Sequence, residues 1–168
     1  LVGNGARVRV ADNLATGRRE RLRDVEDGIE FLELDLADPD ACAAAVENVD
    51  YVLHQAAIPS VQRSVKNPVE TNRANIITTL NLLEAARGAR VRRFVYASSS
   101  SAYGDTPVLP KREDMPVDPL SPYALQKFAG ERYCQFYFRL YQLETVSLRY
   151  FNVFGPSQDP ESEYSAVI

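Results

Sequence analysis

Histidine, cysteine, long apolar runs and clustered positive charge are what this chain is short of. A single histidine, His54, excludes a multi-histidine metal centre, and no metal site is expected. The two cysteines, Cys42 and Cys134, lie far apart without Cys-x-x-Cys spacing. They read as free thiols and fit a reducing, cytoplasmic compartment rather than a disulfide framework. No apolar stretch approaches the roughly 18 residues of a membrane helix. The formal net charge is -4 and the basic residues are scattered, which argues against nucleic acid as a partner. There is no internal repeat, low-complexity tract or linker. An initiating methionine is also missing: the chain opens LVGNGARVRVAD and closes ESEYSAVI. It therefore reads as an internal piece of a longer protein, with room for a targeting peptide upstream.

What is present is an ordinary globular composition, 168 residues with 45% hydrophobic and 25% charged, enough for one domain with a real core. Strand-like runs are expected at Arg7 to Ala11, Ile29 to Leu34, Asp50 to Gln55, Arg93 to Ser98 and Thr145 to Leu148. A glycine stop at Gly3 or Gly5 precedes the first. Helical patterns lie between them. One is the alanine-rich segment Asp38 to Glu47. Another opens at Asn67-Pro68, a good cap followed by a residue suited to the first helical position, with Val69, Ile76, Leu80 and Leu83 at helical spacing. Ser121-Pro122 repeats that start signal for a helix to about Gln142. This alternation predicts an α/β fold, a parallel sheet covered on both faces. The irregular stretch Gly104 to Leu120, rich in proline and charge, sits where loops carry function.

Several constellations carry chemistry. Asp12, directly after the first strand, would lie at the carboxyl edge of a parallel sheet, where nucleotides bind. It is placed to accept from a ribose diol, and its charge would repel a 2'-phosphate, favouring NAD over NADP. The plain alternative is an Asp-Asn turn. Arg18 and Arg19 nearby read as surface charge of a helix start. Asp35 follows the next strand and could face an adenine amino group, or serve as a cap or turn. Ala56 and Ala57 follow the third strand, small enough for a flat cofactor to approach the backbone, or simply for tight packing. His54 reads as an oriented core histidine rather than a catalyst. In SPYALQK (121 to 127), Tyr123 and Lys127 share a helix face. A cation about 4 Å from the phenol is worth roughly 4 kcal/mol at an effective dielectric near 20. That is enough to bring a hydroxyl of pKa about 10 close to working pH, where a general base is most useful. A serine from SSSS (98 to 101) could then hold a substrate hydroxyl against the phenolate. Tyr-x-x-x-Lys alone would be a solvated helical pair. The preceding serine-ended strand, about two dozen residues upstream, gives it meaning. The stripe Tyr133, Tyr137 and Tyr141 reads as core packing or a dimer face, with Phe136 and Leu140 expected on the core side.

Taken together, DNLATG, DLAD, HQAAIPSV, NPVETNRANIITTLNLLEAAR, FVYASSSSAYG, SPYALQK and LRYFNVFGPSQDP run in order along the chain. In this the sequence resembles the extended short-chain dehydrogenase/reductase family, and within it the nucleotide-sugar epimerase/dehydratase group. The resemblance implies a Rossmann-like doubly wound parallel sheet holding NAD. It implies Tyr123 as the base, Lys127 holding the nicotinamide ribose, and Ser99, five residues before Gly104, as the catalytic Ser/Thr. Asp12 and Asn13 would sit on the adenosine ribose, Asp35 and Leu36 beside the adenine, and Gln55, Ala56 and Ala57 along the dinucleotide. Asn75 would brace the site from its helix. Tyr150 and Phe151 would lie near the nicotinamide end, with Asn152 reaching the substrate and Ser100 and Ser101 beside it. GPSQDPESEYSAVI is similar to epimerases acting on UDP-hexoses or UDP-N-acetylhexosamines.

The departures from that pattern matter as much. The family's Gly-x-x-Gly-x-x-Gly turn and the strand before it are missing, and in the family's strand order that first strand is central. The chain by itself is therefore expected neither to form a closed sheet nor to hold NAD well, with residues 1-150 a partial NAD-binding domain and 151-168 the start of a substrate-binding region whose lobe is mostly absent. Dehydratases of the group carry an Asp-Glu pair after the catalytic Thr, and decarboxylases keep the glutamate; here these positions are Ser100 and Ser101. The leading expectation is an NAD-dependent 4-epimerase of a UDP-sugar, a homodimer when full-length. The runners-up are another nucleotide-sugar enzyme of the family (decarboxylase, dehydratase or reductase) and, in a different class, a non-catalytic dinucleotide-sensing module.

Overall fold

The computed structural model describes residues 1–155 and 158. Five parallel strands form: β1 (Val8–Asp12), β2 (Ile29–Glu33), β3 (Tyr51–His54), β4 (Arg93–Ser99) and β5 (Thr145–Tyr150). The five expected runs thus match to within two residues at each end. They make two sheets, β1–β2 and β3–β4–β5. Val8 is in register with Ile29, Tyr51 with Arg93 and Phe94 with Thr145. The strands thus do not close into one sheet, as expected: among the described residues β1, β2, β3 and β5 each keep one edge without a ladder partner.

Short polar side chains set where the helices begin. The carboxylate of Asp38 accepts from the Asp40 N–H at 3.0 Å and opens α1 (Pro39–Val46). Ser60 caps α2 (Val61–Lys66) by accepting from Arg63 N at 3.2 Å. Ser121 accepts from Ala124 N at 3.1 Å and opens α5 (Pro122–Tyr141), which ends with Gln142 at φ 58°. Gly5, at φ 79°, is the expected stop ahead of β1. Arg9 binds β1 to the far end of α1, where its guanidinium donates to the carbonyls of Ala44, Ala45 and Glu47, a favourable place for a cation.

Three expectations need correction. Asn67 does open α3 (Pro68–Asn72), yet its side chain makes no cap bond; its backbone N–H closes α2 on Arg63 O at 2.7 Å. Next, α3 does not run smoothly into α4 (Thr78–Gly88). A π-helical turn, Arg73–Ile77, intervenes, and the extra residue per turn rotates the inward face. Thr71, Asn75, Thr79, Leu83 and Ala86 point inward as a result, and Val69 is 83% exposed. Finally, α5 turns Ala124, Lys127, Glu131, Cys134 and Tyr137 inward, spaced three and four apart. Phe136 and Leu140 therefore lie outside, 45% and 68% exposed, while Tyr137 is in the core and Tyr141 is exposed.

The core gathers Leu36, Cys42, Val46, Val52, Leu82, Leu83, Ala86, Phe94, Tyr96, Cys134, Tyr137 and Leu143 between the strands and helices α1, α4 and α5. Both thiols are buried and unpaired, and desolvation first, then neighbouring carboxylates, pushes Cys42 up to about 12. Among the described residues only one face is covered in this way. On the other, Tyr51, Leu53, Val146 and Leu148 are exposed, although strands apolar on both faces are built to be buried on both. No helix among the described residues is long and apolar enough to cross a membrane. The irregular stretch 104 to 120 holds no helix or strand. It turns back at Gly104, whose φ of 66° and contact with the Asp118 carbonyl leave no room for a side chain.

Helix α5 approaches β4 closely because Gly130 lies against the Tyr96 ring. Gly130→Ala should therefore cost about 1–3 kcal/mol, read as a lower denaturant midpoint at unchanged slope. An unaffected midpoint would show that Tyr96 yields freely.

Candidate active site

Because the strands within each sheet are parallel, the carboxyl ends of β3, β4 and β5 share one edge, and α5 begins beside it. Lys127 is the most constrained group there. It is 4% exposed, its Nζ donates to Ala97 O of β4 at 2.8 Å and lies 5.1 Å from the centre of the Tyr96 ring, and Tyr96 Oη donates to Lys127 O at 3.3 Å. Desolvation lowers its pKa to about 8, so near neutral pH the site still holds an ammonium, but a labile one. Tyr123 sits one turn earlier, half-buried, its backbone N–H held by Ser64 Oγ at 3.0 Å.

Ser99 ends β4. Its Oγ accepts from Ser101 N at 3.2 Å and contacts Ser101 Oγ at 2.8 Å, capping a single 3-10 turn, Ser100–Tyr103. All three serines are half-buried. From this turn Tyr103 stacks on Phe151, with ring centres 6.3 Å apart.

On the β1–β2 side both aspartates have local partners. Asp12 accepts from Leu14 N at 2.7 Å, and Asn13 from Ala15 N at 3.1 Å, so the Asp-Asn turn is present. Gly17 packs so closely on the Asp12 carboxylate that a Cβ there would sit 3.0 Å from it. Asp35 accepts from Ala37 N at 3.0 Å and from Arg73 Nη1 at 2.8 Å. The turn and then the guanidinium hold its pKa below the usual carboxylate range. Leu36 is buried in the core. Arg19 pairs with Glu26 and lies over the Phe31 ring. Around β3, Gln55 Nε2 donates to Tyr150 Oη at 3.3 Å; Gln55 and Ala56 are exposed, Ala57 half so. Asn152 is exposed, and Gly155 and Gln158 are the only parts of the GPSQDPESEYSAVI segment within the described residues.

Asn75 lies in the π-helical turn, fully buried. Its Oδ1 accepts from Ile58 N at 2.8 Å, and its Nδ2 donates to Gln126 Oε1 at 2.8 Å; Gln126 in turn donates to Thr71 Oγ1 at 3.1 Å. Asn75 thereby ties the loop after β3 to α5. His54 is the core histidine expected: Thr79 Oγ1 donates to Asn75 O at 2.6 Å, so its oxygen accepts from His54 Nε2 at 2.9 Å. The Nδ1 atom is buried without a partner among the described residues. Burial, then the charge of Lys127, lowers the imidazole pKa to about 3.

Sequence reasoning missed Gln126, Glu131 and Arg149, and took Ser98 only as one of four serines able to hold a substrate hydroxyl, whereas it is buried and donates to Glu131. Glu131 is one turn beyond Lys127, which alone could have flagged it; its partners lie 18 and 33 residues away and left no local signal. Among the described residues no group of three or more His, Cys, Asp or Glu side chains could hold a metal. A strand-end acceptor at Asp12, small residues at 56 and 57 after β3 and a buried cation at Lys127 are the residue types that a dinucleotide would need.

The model of the NAD dependent epimerase/dehydratase family matches residues 1–168. The chain is 42% identical over 171 residues to a UDP-glucose 4-epimerase of Mycolicibacterium smegmatis, covering 99% of this chain and 55% of that protein. Among solved structures it is similar to a UDP-glucose 4-epimerase of Thermus thermophilus in complex with NAD (43% identity, TM-score 0.90, 98% of this chain and 53% of that one). It also resembles a UDP-N-acetylglucosamine 4-epimerase of Methanobrevibacter ruminantium in complex with UDP-N-acetylmuramic acid (39%, 0.89, 96% and 52%). The chain spans about half the length of the curated relatives it matches.

His54 offers a clean check. An unfolded chain takes up the imidazole proton near 6.5, the native one only near 3. Stability should therefore fall as pH drops through that window, by about 5 kcal/mol at most. Nitrogen-15 NMR should show the Nε2–H tautomer untitrated at pH 5; a charged ring there would contradict this burial.

Proposed function

The chain belongs to the NAD dependent epimerase/dehydratase family, and from that premise we propose that it carries the catalytic half of an NAD-dependent 4-epimerase of a UDP-hexose or UDP-N-acetylhexosamine. The observation that carries this reading is the buried Lys127 ammonium, anchored on the end of β4 that also bears Ser99, one helical turn from Tyr123. Bound NAD would take up and return a hydride at sugar carbon 4. Asp12 and Asn13 would hold its adenosine ribose, Asp35 and Leu36 flank its adenine, and Gln55, Ala56 and Ala57 line its length. Tyr150 and Phe151 would lie near its nicotinamide end, and Asn75 would brace the loop that it rests on.

The chain's own residues then handle the proton. Ser99 orients the 4-hydroxyl, and Tyr123 as phenolate takes its proton, the Lys127 charge favouring that ionised form. After the 4-keto sugar has turned over in the site, Tyr123 returns the proton to the oxygen at carbon 4. Asn152, with Ser100 and Ser101, contacts the substrate, whose UDP holds the intermediate while it turns. No net redox change results, so no reductant is consumed. Ser100 and Ser101 support epimerisation over dehydration, because hydroxyls offer no acid to help expel water. Residues 1-150 form part of the NAD-binding domain and 151-168 begin the substrate-binding region. The full-length protein pairs as a homodimer through α5, a reading supported by the exposed Leu125, Phe136, Phe138 and Leu140.

In the full-length protein, Tyr123→Phe should lower kcat by about 10²- to 10⁴-fold while NAD still binds, as followed by UDP-galactose conversion and by cofactor titration. Undiminished turnover would remove Tyr123 from the mechanism.

A further inference from the structure

One buried charge cluster is left unused by that reading. Glu131, on the inward face of α5, accepts from Arg149 Nε at 2.8 Å and Arg149 Nη2 at 2.9 Å, a two-pronged pair. Ser98 Oγ adds a third bond to the same carboxylate at 2.5 Å. The side chains of Glu131 and Arg149 are 5% and 17% exposed. Arg149 Nη1 meets no geometric hydrogen-bond partner among the described residues, and the guanidinium carbon lies 4.6 Å from the centre of the Tyr103 ring, which covers it. Tyr103 then stacks on Phe151.

Burial makes this cluster a poor choice for stability alone. Two charges taken out of water gain little over well-packed apolar side chains of similar volume. Its bonds are, however, directional, and its position is telling. Ser98 precedes Ser99, Glu131 lies one turn after Lys127, Arg149 precedes Tyr150, and Tyr103 closes the turn that begins at Ser100. Each member is thus next to, or one turn from, a residue of the candidate site, and the cluster joins three elements, β4, α5 and β5.

We propose that Glu131 and Arg149 are positioning residues: their fork fixes α5 against β5, and the Ser98 bond to the same carboxylate carries that placement to the end of β4, which sets the Ser99 hydroxyl relative to Tyr123 and Lys127. They touch neither substrate nor cofactor in this scheme. The inference rests on the epimerase reading for its kinetic consequence, though not for its geometric one. A fork of two N–H groups on one carboxylate fixes both distance and angle, which an ammonium or an apolar pair cannot do. A misplacement of about 1 Å at reacting groups can cost about 10²-fold in rate.

The test uses the full-length protein. The double variant Glu131→Leu/Arg149→Met should keep a melting temperature close to that of the parent, with kcat down about 10- to 100-fold and KM for the UDP-sugar and NAD affinity within about threefold. Arg149→Lys, which restores charge without the fork, should recover only part of kcat. A double variant with parental kcat would overturn the proposal, as would a rise in KM at constant kcat. Glu131→Gln, close in size, covers the case in which the double variant does not fold: hydrogen exchange in segment 98–103 should quicken, and unchanged exchange would overturn the proposal equally. That measurement needs no turnover. It therefore stands apart from the epimerase reading, which fails separately if Tyr123→Phe keeps its activity.

Discussion

The Lys127 ammonium against the Ala97 carbonyl is the interaction on which the rest of this molecule hangs. To place a cation there, α5 must lie flush on β4, which is why position 130 carries no side chain and Tyr96 can lie alongside the helix. Burial that deep is costly for a charge, and the lysine responds with a pKa lowered to about 8. A group so placed is useful only if a neighbour exploits its proton or its field. Tyr123, one turn away and half-buried, is such a neighbour. Burial first, then the charge of this same cation, lowers the pKa of His54 and keeps its ring neutral.

Around this anchor the site is braced by two polar networks of different kinds. Asn75 and Gln126 are neutral amides whose donors and acceptors are matched one to one from Ile58 through to Thr71. Such a network fixes orientation without the cost of burying charge. Ser98, Glu131 and Arg149 do the same job with ions, nearer the strand ends. One network holds the loop after β3, the other the ends of β4 and β5, so the carboxyl edge of the larger sheet is framed from both sides.

Much of this was legible from the residues. The five strands, the Ser121-Pro122 start of α5 and the turn geometry of Asp12 all follow from short-range chemistry, namely apolar runs, caps and side-chain-to-backbone bonds two or three residues away. What stayed hidden depends on distant partners or on phase. Arg73 meets Asp35 across 38 residues, and no local pattern announces it. Phe136 and Leu140 look like core residues by hydrophobicity, but the inward stripe of α5 is set by Lys127, Glu131 and Cys134, which place them outside. Val69 falls off the inward face for a related reason, since the helical spacing it shares with Ile76 is broken by the π turn at 73–77.

That π-helical turn carries a wider consequence. Its five residues make the wider ring where a regular helix would close sooner, and Asn75 is at its middle. Dropping any one residue from 73–77 would let the segment snap into an unbroken α-helix. Everything upstream would then twist by about 100° relative to Leu83 and Ala86. Thr71 would swing away from Gln126 in every case, and the amide at 75 would leave Ile58 when the lost residue is 76 or 77. The register of this stretch is therefore intolerant of length change in a way that its side-chain chemistry does not advertise.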